Sequence, residues 1–179
     1  IYIIMTKKYL TLLLIVFLFN CPVYSAETTT DTDVGKGGSE DYSFLKAKNS
    51  NFKKATNAIK QAKKYDKKGK SEKAKKRFND AIKFLTIANK EFPNEPDILN
   101  YLGYSFIKVG DFVMAEIYYE QGLAINPEHV GINEYLGELY VETNRIDKAK
   151  ERLIVLKKCN CEEYSELKEI IEGTKKSKY

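Results

Sequence analysis

The sequence predicts an all-α protein, a helical-hairpin solenoid ending in a C-terminal capping helix. Three observations carry this. The text repeats itself: thirty-four positions after Tyr101-Leu102-Gly103 the chain reads Tyr135-Leu136-Gly137, and Ala149 answers Ala115 at the same distance. Apolar residues recur three and four apart, as in Ala81, Ile82, Leu85, Ile87 and Ala88, with no sustained period-two alternation. Breakers fall in step as well. Gly110 and Asn144, again thirty-four apart, are the two residue types that best tolerate the left-handed backbone of a tight helix C-cap. Helices of about a dozen residues joined by short turns must lie antiparallel. Two of them per period make a unit that buries its face only by stacking on the next.

Taken in order, residues 1–25 read as a secretory signal, with Met5 as the start. Lys7 and Lys8 form the basic region, "LTLLLIVFLF" (10–19) the apolar region, and "CPVYSAE" a cleavage site cut after Ser25. The rival is an uncleaved anchor, since residues 9–26 carry no charge and could just span a bilayer. Export to the periplasm is the expected localisation, and Cys21 then leaves with the signal. Residues 26–43, polar and rich in Thr and Gly, hold too little apolar surface to order and read as a flexible leader. Residues 44–95 form a basic helical pair broken at "DKKGKS" (66–71), with Ser71 as the cap of its second helix. Residues 96–129 and 130–163 are the two repeats, and Pro96 suits a first helical turn. Residues 160–179 are the capping helix and tail. Asn160 with Glu163 reads as a capping box, Gly173 as the stop, and "TKKSKY" as a fraying end.

Charge divides the chain. Residues 44–90 hold 16 Lys or Arg against 3 Asp or Glu, whereas residues 91–179 hold 11 against 17. A basic half is followed by an acidic half.

The repeats resemble the tetratricopeptide repeat family. Residues 96–129 supply Leu99, Leu102, Gly103, Phe106, Ala115, Tyr119, Gly122 and Pro127 at the motif positions. Residues 130–163 supply Leu136, Gly137, Tyr140, Ala149, Leu153 and Leu156, with Cys161 where proline is expected. Upstream, Ala81, Leu85, Ala88 and Pro93 give the second half of a degenerate motif. These types make physical sense as packing. Gly103, Gly137, Ala115 and Ala149 let helices approach, and Tyr119, Phe106 and Tyr140 fill the space beside them.

The resemblance also implies a concave groove lined by the first helix of each pair. Carried over by register, its lining is Asn100, Tyr104, Ile107 and Lys108, then Glu134, Glu138, Val141 and Glu142. The three glutamates are four apart and share a helix face. The implied partner is a protein or peptide held by an acidic and aromatic lining, hence a basic or N-terminal segment. The competing reading of the same glutamates is a solvated face.

Catalysis finds little support. His129 is the single histidine and reads as a loop residue in "NPEHV". No phosphate loop, metal cluster or nucleophile elbow occurs, so no enzyme activity, cofactor or metal is expected. Cys159 and Cys161 read as a disulfide pair in a small strained ring, stapling the turn before the last helix. The alternative is thiol–disulfide or soft-metal chemistry. The resemblance to small exported proteins of the family favours the staple.

The basic half offers an anionic surface. Lys53, Lys54, Lys60, Lys63, Lys64, Lys67, Lys68, Lys73, Lys76 and Arg77 are its candidates. An anionic membrane or wall polymer fits them better than nucleic acid, whose grooves favour arginine and aromatic platforms. A third use is self-association, the basic half of one copy docking on the acidic half of another.

Overall fold

The computed structural model describes residues 50–177. The described residues belong to one compact unit. The signal 1–25, Cys21 and the leader 26–43 lie outside the described residues.

Among the described residues the chain forms seven helices and no strand: α1 (Ser50–Asp66), α2 (Ser71–Glu91), α3 (Pro96–Val109), α4 (Phe112–Ile125), α5 (Val130–Glu142), α6 (Ile146–Leu156) and α7 (Glu162–Ile171). The all-α hairpin stack expected from the sequence is the observed fold. α1–α2, α3–α4 and α5–α6 form the hairpins, α2 packs on α3 and α4 on α5, and α7 docks on both α5 and α6.

Local chemistry explains each helix. On α1, Phe52, Ala55, Ala58, Ile59 and Ala62 are buried, while the lysines occupy the other side. On α2, Ala74, Phe78, Ala81, Leu85 and Ala88 alternate small and large at helical spacing, so the two helices approach closely. Pro96 sits in the first turn of α3, where its missing N–H costs nothing. Gly110 ends that helix in the left-handed region with φ 92°, and Asn144 ends α5 with φ 58°. The Asp111 carboxylate accepts the Met114 N–H at 3.0 Å and starts α4.

Two caps and the tail differ from the sequence reading. Lys70, not Ser71, precedes α2, and no side chain caps it. Asn160 does not open the last helix. It takes a left-handed turn with φ 49°, and Cys161 precedes Glu162 without a side-chain cap bond. Residues 174–175 do not fray: the Thr174 and Lys175 N–H groups bond the Glu169 carbonyl, and Lys175 pairs with Glu166 at 2.8 Å.

The buried core runs along the stack, from Phe52, Phe78 and Leu85 through Leu102 and Tyr119 to Ile132, Leu136, Leu156 and Leu167. The two motif glycines are used differently. A Cβ on Gly103 would fall on the Tyr119 ring of α4, its own hairpin partner. A Cβ on Gly137 would meet Leu167 of α7 instead. The second repeat has Leu153 where the first has Tyr119; the smaller residue leaves room that the capping helix fills. Ala115, Ala149, Leu136 and Tyr140 are buried and Phe106 is half-buried, stacked on Tyr118 at 5.4 Å. Pro127 departs from a packing role: it is exposed, and its carbonyl accepts the Asn133 side-chain amide at 3.0 Å.

Candidate functional site

α3 and α5 occupy equivalent places in consecutive hairpins, so residues thirty-four apart sit in the same phase. The eight groove positions do not share one environment. Asn100, Tyr104, Ile107, Glu134 and Glu138 are buried, Lys108 and Val141 are half-buried, and Glu142 is exposed. Glu134 and Glu138 are only 3% and 0% exposed, so they are not the wet surface that helical glutamates usually form. Lys108 pairs with Asp66 of α1 at 3.0 Å.

An aromatic run crosses this region. The Tyr104 ring lies 5.8 Å from Phe78 and 5.5 Å from Tyr135, and Tyr135 lies 6.5 Å from Tyr119. Lys63 of α1 places its ammonium 4.9 Å from the centre of the Tyr104 ring, a cation–π distance. Tyr135 belongs to the site by geometry, yet sequence register passed over it because it holds no motif position. Its recurrence with Tyr101 at the repeat spacing was the available signal.

His129 is an ordered cap and not a plain loop residue. Its Nδ1 accepts the Ile132 N–H at 3.2 Å at the start of α5, and its Nε2 lies 3.0 Å from Asp97 of α3. With Nδ1 accepting, the neutral ring carries its proton on Nε2 and donates to the carboxylate. Asn133, fully buried, donates to the Pro127 and His129 carbonyls. These contacts tie the first turns of α3 and α5 together at one end of the groove.

A second polar cluster joins α4 to the α5–α6 turn. Arg145 donates two hydrogen bonds to Glu116, at 2.6 and 2.8 Å, and one to Thr143 at 2.9 Å. Its guanidinium also covers the Tyr140 ring at 4.5 Å. The Arg145 hydrogen bond holds the Glu116 carboxyl below its ordinary range, and the same bond raises Arg145. Burial, helped by the charges of Glu116 and Glu120, pushes the Tyr140 hydroxyl up to about 12.

Cys159 and Cys161 are joined by a disulfide in the turn between α6 and α7. Cys161 is buried beside Leu156 and Leu167, so the bridge belongs to the packing of the cap. The candidates of the basic half are exposed except Arg77, which is half-buried and pairs with Asp80 at 3.1 Å. Among the described residues no group of three or more His, Cys, Asp or Glu side chains gathers as a metal site. No described helix is long and apolar enough to cross a membrane.

Stacked helical hairpins closed by a capping helix define a helical-repeat scaffold. Residues 106–171 match the model of the tetratricopeptide repeat family. Among solved structures, the first such domain of Spaghetti (RPAP3) bound to the HSP90 peptide SRMEEVD is similar at 21% identity and a TM-score of 0.49. That likeness covers 69% of this chain and 94% of that one. No curated protein matches the chain.

Proposed function

We propose that the protein is a non-catalytic binding module of the bacterial cell envelope, whose α3–α5 face takes a cationic or amino-terminal peptide segment. One observation carries the reading. Glu134 and Glu138, both buried, stand one turn apart on α5, the helix that also bears Tyr135 of the aromatic run. A carboxylate closed from water attracts a cation more strongly than an exposed one, because the surrounding medium screens less. Tyrosine faces add a second source of attraction for ammonium and guanidinium groups.

The test is titration with a labelled lysine-rich peptide and its glutamate-for-lysine counterpart. The lysine peptide is expected to bind and the acidic one not to. Glu134→Gln with Glu138→Gln is expected to weaken binding roughly tenfold, through lost electrostatic attraction from beneath the surface and not through direct contact, since both side chains are buried. Equal binding of both peptides, or an unchanged affinity in a double variant that still melts cooperatively, rejects the proposal.

Export completes the reading. Protein recovered from producing cells is expected to begin at Ala26, with Cys159 and Cys161 resisting alkylation until reduced. A chain that retains residues 5–25, with both thiols reactive at once, would place it elsewhere.

A further inference from the structure

The outer face of α1 carries a charge pattern that the peptide reading does not use. Lys60, Lys64 and Lys67 are exposed on successive turns of α1 and just beyond it, spanning about 10 Å at the helical rise per residue. With Thr56, Ile59, Lys63 and Tyr101 they line an open recess of about 420 Å³ between α1 and α3. Asp66 is the single acid within α1, and Lys108 engages it. The recess therefore has cationic walls and a floor of aliphatic and aromatic carbon.

Three classes of polyanion could answer such a face, and the structure separates them. A bilayer can attract lysines alone, but firm seating takes apolar side chains projecting with them. The large exposed hydrophobics among the described residues (Ile87, Phe112, Val113, Ile117, Ile125 and Ile154) lie on α2, α4 and α6, none on α1. Single-stranded nucleic acid would want a row of stacking platforms, and Tyr101 is the sole ring in the recess. A flexible chain of phosphates joined by short aliphatic links needs only spaced ammonium groups and a carbon floor. We infer that this recess binds a linear poly(alkyl phosphodiester), separately from any peptide on the α3–α5 face.

The probe is a synthetic glycerol-phosphate oligomer, titrated across a range of salt. Affinity is expected to fall with salt on a log–log slope of about −2 to −3, for three to four lysines each releasing a counterion. The triple variant Lys60→Gln, Lys64→Gln, Lys67→Gln is expected to bind about 50-fold more weakly at 0.15 M salt, by the same counterion relation. A matched triple on α2 (Lys73, Lys76 and Lys90, each to Gln) is expected to stay within about twofold. Equal losses in the two triples would mean diffuse attraction to the basic half and overturn the site. Tighter binding to vesicles containing phosphatidylglycerol would assign the face to membrane instead. Single-stranded DNA of equal charge binding as tightly as the oligomer would refute the base-free specificity. All six substitutions are of exposed lysines, so the variants are expected to fold.

Discussion

Gly103→Ala destabilises the protein by about 1–3 kcal/mol, and Gly103→Val by more, because the added carbon lands on the Tyr119 ring. Tyr119 cannot step aside. It is 0% exposed and sits in the same hairpin, between α3 and the Tyr135 ring. The side chain is also too large for its neighbours to absorb a shift of several tenths of an ångström without opening gaps elsewhere. Urea melts of the single variants and of Gly103→Ala with Tyr119→Leu measure this directly. The double variant mimics the second repeat, where Leu153 stands at the equivalent place. Its loss of stability is expected to fall short of the sum of the two single losses by at least about 1 kcal/mol, as for residues in contact. An additive result would show that glycine is there for some reason other than the ring. Gly137→Ala provides the contrast: its clash is with Leu167, so the loss should fall on docking of α7 and leave the first hairpin intact.

The hairpins were legible because their signals are local. Spacing of Leu102 and Gly103 against Leu136 and Gly137 fixes the period, and Gly110 and Asn144 fix where helices stop. The use of Gly137 was not legible, since a notch in a helix does not say which later helix fills it. The groove was readable as a register and not as an environment. Glutamate on an amphipathic helix is a solvated residue by default, and the burial of Glu134 and Glu138 is set by tertiary packing that no local pattern encodes. Asn160 shows a different limit: a capping-box pattern was present, but the left-handed turn and the Cys159–Cys161 bridge moved the helix start to Glu162. Contacts between residues far apart in sequence were the least accessible. His129 meets Asp97 across thirty-two positions and Arg145 meets Glu116 across twenty-nine, with no local pattern to suggest either pair.

The Arg145 cluster should make stability depend on pH at both ends of the scale. Tyr140 has its hydroxyl pushed up to about 12 by burial, against an ordinary value near 10. The unfolded chain therefore ionises first as pH rises. Its contribution is full below pH 10 and is lost as pH climbs through 12, about 2–3 kcal/mol in all. Glu116 works with the opposite sign. Its folded value is lowered by the Arg145 hydrogen bonds, so its contribution is present above its ordinary range and is lost as pH falls through the folded value. Urea stability measured from pH 3 to pH 12 on three proteins separates the two limbs. Tyr140→Phe is expected to flatten the alkaline limb relative to the parent, with lysine titration common to both. Arg145→Gln is expected to flatten the acid limb, since the largest cause of the Glu116 shift is gone. It should also steepen the alkaline one, because the Arg145 charge holds Tyr140 down while Glu116 pushes it up. That divergence is the decisive feature. A general loss of stability would lower the whole curve in parallel, whereas removal of one cation between two acids must relax one limb and sharpen the other.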